Sequence, residues 1–287
     1  MPYDHKALAY PRAVEPYFDL IQVWRREPLD DATRAWLSGQ CRHLYLKNGA
    51  ARFDSRLRQR VDMKGLSEAG LTWLIAQKDA FLNRLEIALD LHFDDEDARD
   101  STFEFFHRHL VRRHLRRTQE VRCYRGDGQT PCREYHPSLA QTRYDASRSA
   151  PNRIVNYKQE SSRITGEVTS LLHLEWRVNG VRALRGLGIE SVVDLGKFDH
   201  RRFWAHRLRL VDISSERLGL IIRNRKDGTK SRVATSRDKW DGRTFLKYCD
   251  GSIHELLRKF GKKNPIRRAL TRIPNERWLP EPTKPSL

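Results

Sequence analysis

Two short stretches alternate apolar residues with a second set that includes carboxylates, and that spacing is where chemistry could sit. In 83–91, Leu85, Ile87, Leu89 and Leu91 alternate with Arg84, Glu86, Ala88 and Asp90. In 171–178, Leu172, Leu174, Trp176 and Val178 alternate with His173, Glu175 and Arg177. A period of two is that of a half-buried strand, with one apolar and one polar face. If the two strands share a sheet, Glu86, Asp90 and Glu175 meet on one face. Hard divalent cations take oxygen ligands, so such a face could hold Mg²⁺ or Mn²⁺ and polarise a phosphoryl group. Solvated strand faces with cross-strand ion pairs would show the same spacing. A third stretch supplies a nucleophile. Tyr144 and Tyr157 lie among Arg143, Arg148, Arg153, Lys158 and Arg163. A phenol beside positive charge loses its proton more readily, and the same bases would hold the phosphate it attacks.

Other chemistries find less support. Cys123, Cys132 and His136 fit no common zinc spacing. His107 and His109 are two apart in a predicted helix and so point to different sides. No glycine-rich phosphate loop followed by Lys-Ser/Thr occurs, which leaves nucleotide hydrolysis without a motif.

The elements that must position these residues follow from periodicity. A strand is predicted at 17–24, a helix at 30–46 and another at 65–80. The strand 83–91 comes next, then a helix at 94–117 that is acidic at its start and basic at its end, as the helix dipole favours. Strands are predicted at 119–124, 152–158 and 171–178, with a loop at 126–137. Helical patterns follow at 181–187, 200–210 and 250–259, ahead of a proline-containing tail. The expected fold is α+β: a mainly antiparallel sheet with flanking helices, then a helical basic C-terminal region.

Charge divides the chain in the same way. Its 287 residues carry 55 Lys and Arg against 37 Asp and Glu, a net charge of +18. Residues 1–181 hold a net charge of only +4, and residues 182–287 hold +14. The expected organisation is therefore a catalytic sheet domain at 1–181 and a DNA-binding region at 182–287. Arg outnumbers Lys 41 to 14, and its planar fork suits phosphate. Nucleic acid is the expected partner. The bases expected to meet it are Arg148, Arg177, Arg182, Arg185, Arg201, Arg202, Lys262, Lys263, Arg267 and Arg268. No apolar run nears the roughly 20 residues needed to span a bilayer, no secretory signal opens the chain, and four cysteines are not a disulfide framework. A cytoplasmic protein is expected.

The segment Thr142–Lys158 resembles a stretch of the trans-acting replication initiators of rolling-circle plasmids and of related relaxases of integrative conjugative elements. Thr142, Tyr144, Ser147, Arg148 and Ser149 match its first part. Arg153 and Lys158 match its second, with spacing one residue short, so Asn156 falls where the family has its strand tyrosine. Arg84–Asp90 resembles a further family strand, with Glu86 in place of the first Asp. Leu174–Arg177 resembles another, with His173 in place of a leading Arg. The three pieces keep the family's order and cover about residues 80–180. The resemblance implies a DNA-nicking and strand-transfer enzyme. A tyrosine attacks one strand, leaving a 5′-phosphotyrosine and a free 3′ hydroxyl, with Mg²⁺ or Mn²⁺ held by carboxylates. It further implies a helicase partner and a homodimer. On this reading Tyr157, or else Tyr144, is the nucleophile. Arg153 and Lys158 hold the phosphate, and Glu86, Glu175 and Asp90 hold the metal. Two alternatives stay open: a DNA-binding protein that does not cut, and a metal-dependent nuclease without a covalent step.

Overall fold

A computed structural model describes residues 8–112, 120–125, 131–132, 140–145, 150–162, 165–214, 216–218, 249, 251–260 and 265–281. In chain order the strands of the main sheet are β1 (Ala13–Arg25), β2 (Cys41–Asn48), β3 (Gln59–Leu66), β4 (Phe81–Phe93), β5 (Arg122–Tyr124), β6 (Thr142–Tyr144), β7 (Asn152–Ser161) and β8 (Val168–Asn179). They pair antiparallel in the order β2-β3-β1-β4-β8-β7-β6-β5. Helices α1 (Asp31–Gln40), α2 (Glu68–Ala76) and α3 (Glu96–His109) interrupt them. After the sheet come α4 (Val181–Arg185), α5 (His200–Arg207), α6 (Ile253–Phe260) and α7 (Pro265–Arg268), with a small ribbon of β9 (Leu210–Asp212) and β10 (Thr271–Ile273). The architecture is α+β, as the periodicity leads one to expect.

β4 and β8 lie side by side at the middle of the sheet. Their apolar residues (Leu85, Ile87, Leu89, Leu172, Leu174, Trp176) join the main core. α3 covers that face with Phe103, Phe105 and Phe106, all buried. Burying each such ring contributes on the order of 1.5–3 kcal/mol, so this face anchors the sheet. The acidic run before α3 is its start: Asp95 caps the helix, accepting from the Ala98 N–H at 2.7 Å, and Glu96 and Asp97 fill the first turn. His107, Arg108 and His109 fill the last turn, at the carbonyl end of the dipole.

The chain after residue 181 shares this core. Ile189, Val192, Leu195, Phe203, Trp204 and Trp278 belong to the same buried cluster as β4 and β8. Trp278 stacks on Phe105 at 5.1 Å and meets Phe106 edge-on at 5.4 Å. A second, smaller core gathers Val111, Val211, Ile213 and Leu218 with Cys249, Ile253, Leu256, Leu257 and Ile266.

Several local expectations needed tertiary information. The helix predicted at 30–46 ends at Gln40, because Cys41–Asn48 pairs with β3 as an edge strand. The helix predicted at 65–80 is shorter, since residues 59–66 form β3 and Ser67 caps α2. The helix predicted at 94–117 ends at His109, where Leu110 turns to an extended backbone. Part of its tail, and most of the loop at 126–137, lie outside the described residues. No helix among the described residues is long and apolar enough to cross a membrane.

Candidate metal and tyrosine site

Register decides which side chains share a face. On β4 and β8, Glu86 stands opposite Arg177, Ala88 opposite Glu175, and Asp90 opposite His173. On β7 and β8, Arg153 stands opposite Arg177 and Tyr157 opposite His173. Glu86, Asp90, His173, Glu175, Arg177, Arg153 and Tyr157 therefore line one polar face, the one turned away from α3. Glu86 and Glu175 are diagonal neighbours on it, as their spacing suggests.

β1 adds two residues that the carboxylate spacing does not reveal. Between Phe18, opposite Ile87, and Leu20, opposite Glu86, the pairing slips by one residue. Asp19 is the extra residue of this bulge, and a bulge re-aims the side chain it carries. Asp19 is buried, and one of its carboxylate oxygens lies within 4.8 Å of donor atoms on both His173 and Glu175. Tyr17 donates its hydroxyl to Asp90 Oδ2 at 3.1 Å and lies 3.4 Å from His173 Nδ1. The available signal was an acid amid Phe18, Leu20 and Ile21 in a strand otherwise buried. A period-two reading of β1 cannot use it, because the bulge breaks the period.

Asp19, His173 and Glu175 thus form the converging donor set among the described residues. Of the three expected metal ligands, Glu175 belongs to that set. Asp90 stands behind it: its Oδ1 lies 2.5 Å from His173 Nδ1, which orients the ring and leaves Nε2 toward Glu175 at 3.7 Å. His173 Nε2 is buried and without a hydrogen-bond partner among the described residues. A carboxylate holding one imidazole nitrogen while the other faces acidic oxygens is how metal-binding histidines are commonly supported. Glu86 is tied by Arg84 and lies 3.6 Å from Arg177 Nε. Arg177 also binds Glu175, with Nη2 to Oε2 at 3.0 Å. Arg42 holds Asp19 Oδ1 at 2.8 Å.

Packing acids in a dry place separates their proton affinities. Burial, and the neighbouring Glu175 charge, push the Glu86 carboxyl up to about 7. Burial would push Glu175 the same way, but the His173 imidazole and the Arg177 guanidinium beside it outweigh burial and hold Glu175 below the usual carboxylate range. Burial alone would lower His173; Asp90 and Glu175 reverse that and raise it to about 9. An oxygen-rich donor set with one imidazole suits Mg²⁺ or Mn²⁺, the imidazole favouring Mn²⁺ of the two.

The tyrosines and bases distribute as follows. Tyr157 is half-buried, its ring 4.5 Å from the His173 ring. Tyr144 on β6 stands opposite Val155, on the same face, with the Arg153 guanidinium 5.5 Å over its ring. Burial, followed by the Arg177 charge, lowers the proton affinity of Arg153. Lys158 does not reach this face. It follows Tyr157 on β7 and so points the other way, to Asp100 of α3 at 2.8 Å and over the Phe103 ring. Its expected place beside a phosphate is corrected by the strand's alternation.

Among the bases expected to meet DNA, Arg177 belongs to the acid cluster, held by Glu175 and Glu86. Arg201 donates to the Pro280 carbonyl and ties α5 to the C-terminal segment. Arg182, Arg185, Arg202 and Arg267 are exposed, and Arg268 ends α7. Arg148, Lys262 and Lys263 lie outside the described residues, as do Ser147 and Ser149.

No protein-family model matches this chain, and no curated protein matches it. A solved structure that it resembles is that of the rolling circle replication initiator protein from Geobacillus stearothermophilus. The identity is 12%, the TM-score 0.35, and the match covers 79% of this chain and 92% of that one.

Proposed function

We propose that this protein is a replication initiator or relaxase that nicks one DNA strand through a tyrosine, assisted by Mg²⁺ or Mn²⁺. The observation that carries the reading is the gathering of Asp19, Glu86, Asp90, His173 and Glu175, all buried, on one sheet face beside the Tyr157 ring. Isolated carboxylates are costly to bury unless charge compensates them. Arg42, Arg84, Arg177 and the proton that His173 carries below about 9 supply that compensation, and a divalent cation bound at His173 Nε2 would take the place of that proton.

Asp19, Glu175 and His173 Nε2 would hold the cation, and Asp90 and Tyr17 would orient the imidazole. When bound, the ion would polarise the scissile phosphate. Tyr157 gives up its phenolic proton and its oxygen bonds to phosphorus while the bond from phosphorus to the 3′ oxygen breaks. That oxygen takes a proton and leaves as a free 3′ hydroxyl, available to a polymerase or for rejoining. Arg153 lies on the same face and would hold the charge that develops on the phosphate oxygens. Tyr144, under Arg153, is the second choice of nucleophile. A helicase and a second copy of the chain are the partners this reading implies.

The test uses 3′-end-labelled single-stranded DNA and internally labelled supercoiled DNA with Mn²⁺, followed by denaturation. Label that stays with the protein, and is lost in Tyr157→Phe but kept in Tyr144→Phe, is the expected result. Attachment that survives in Tyr157→Phe would overturn the assignment of the nucleophile, and breaks without attachment would remove the covalent step. A non-cutting DNA-binding protein is the second reading. It is favoured by the ion pairs that Arg84 and Arg177 already make with Glu86 and Glu175, and DNA binding without breaks in any metal would support it.

A further inference from the structure

The sheet face that carries the acids continues past them toward β2. Along β1, Leu20, Gln22 and Trp24 point to this face in turn, opposite Glu86, Arg84 and Phe81 of β4. On the other side of β1, Trp24 stands opposite Arg60 of β3, and Arg60 opposite Lys47 of β2. The neighbours Val23, Val61 and Leu82 belong to the core, so Trp24, Phe81, Arg60 and Lys47 lie on the face away from it. Tyr45, two residues before Lys47, shares that face, with the Arg60 guanidinium 5.5 Å over its ring. The loop between β2 and β3 folds Phe53 onto the row. Its ring meets Trp24 edge-on at 6.0 Å and Phe81 at 5.5 Å.

These rings face water: Tyr45 is 55% exposed, Phe53 52% and Phe81 37%. Exposed apolar surface gathered in one place marks an interaction site, and the charge around it says of what kind. Residues 41–60 hold six bases (Arg42, Lys47, Arg52, Arg56, Arg58 and Arg60) against one acid, Asp54, a net +5 where residues 1–181 together hold +4. Arg42, Arg56 and Arg60 pair with Asp19, Asp54 and Asp62, whereas Lys47, Arg52 and Arg58 are exposed. Single-stranded nucleic acid matches both features. Its bases stack on aromatic rings and guanidinium planes while cations follow its backbone. A duplex keeps its base faces stacked on each other, and an acidic peptide would match the charge without using the rings.

We propose that Tyr45, Phe53 and Phe81, backed by Trp24, form a stacking platform for the unpaired bases of a DNA strand, with Lys47, Arg52 and Arg58 along its phosphates. Phe81 lies five residues from Glu86 on β4, about 16 Å at the rise of a strand, so a strand of several nucleotides can touch both the platform and the acid cluster. The inference rests on DNA as the partner, which both readings above share, and not on the covalent step.

Fluorescence anisotropy on the full chain, without metal so that nothing is cut, tests it with two labelled probes of equal length: oligothymidylate and a strand of abasic sugar-phosphate units. Phe53→Ala is expected to weaken oligothymidylate binding about fivefold or more, the lower end of what one stacked base contributes, and to leave the abasic strand within about twofold of the native protein. The log–log slope against salt is expected to stay the same, because no phosphate contact is removed. Phe53→Trp keeps a stacking ring and is expected to bind as the native protein does, which separates stacking from a folding defect. Trp36 is 42% exposed and packs on Trp73 of α2 at 5.9 Å, outside the platform; Trp36→Ala is the control and is expected to leave both probes unchanged. Equal losses on the two probes, no loss on oligothymidylate, or the same loss in Trp36→Ala would overturn the proposal. So would a native dimer in sedimentation equilibrium that Phe53→Ala turns into a monomer, since the rings would then serve a second copy of the chain. Covalent attachment in Mn²⁺ is read separately. A protein that shows the Phe53 effect but attaches no label keeps the platform and loses the nicking reading, and the converse loses only the platform.

Discussion

Asp19 and His173 are where a single substitution speaks most directly. Each offers a donor atom to the same small volume as Glu175. Asp19→Asn and His173→Gln are therefore expected to weaken Mn²⁺ binding at least tenfold, read by calorimetric titration of the protein without DNA. Asp90→Asn removes the partner that orients the imidazole, and such supporting groups typically account for 10–100-fold in metal affinity. Unchanged Mn²⁺ affinity in all three variants would leave the cluster as a network of ion pairs. At this scale the sequence told much about Glu86 and Glu175, because strict alternation announces a shared face. It told little about Asp19, whose position depends on a slipped register, or about Tyr17, which meets Asp90 and His173 only across strands.

Elements act through their faces, and β4 allows both faces to be tested on one strand. Ala88 is fully buried on the acid face, opposite Glu175 on β8 and Tyr17 on β1. Its small side chain leaves the space that the surrounding acids use. Ala88→Leu is expected to destabilise the fold by roughly 1–3 kcal/mol through overpacking, and to abolish Mn²⁺ binding. Ile87→Val, one residue away on the helix-covered face, is expected to cost about 0.5–1.5 kcal/mol and to leave Mn²⁺ binding intact. Urea unfolding and metal titration of the two variants separate these outcomes. A Leu at position 88 that binds Mn²⁺ normally would show that the ion does not sit on this face. The strands β4 and β8 were legible because each carries its own alternation. β2 was not, since most of Cys41–Asn48 reads locally like an extension of the helix before it, and the end of β3, Gly65 and Leu66, reads like the start of the helix after it. β6, only three residues long, gains its identity from pairing with β7.

At the scale of the molecule, charge and core divide the chain differently. The net charge changes after residue 181, yet the apolar core runs through that point, and Trp278 closes it against α3. Trp278→Ala is expected to cost about 3–5 kcal/mol, and to lower the urea midpoint in one cooperative transition seen equally by near- and far-ultraviolet circular dichroism. Two separate transitions, with the sheet unaffected, would show instead that the C-terminal segment is an independent unit. The described part of the basic third is thus built into the body that carries the acid cluster, and Arg201, one of its bases expected on a DNA face, ties α5 to the C-terminal segment.

The sequence by itself determined the α+β class, the two central strands and the polar face they present, because period-two alternation is a local property that survives without knowledge of partners. It also determined the electrostatic character, since charge is additive along the chain. Only the tertiary structure decided which acids converge. Convergence depends on strand order, on register and on one bulged residue in β1, and these are set by how distant segments bury their apolar faces together. The same long-range packing turned Lys158 away from the site, brought His173 and Tyr17 into it, and placed Arg112 and Arg207 against Trp176 on the far side of the sheet.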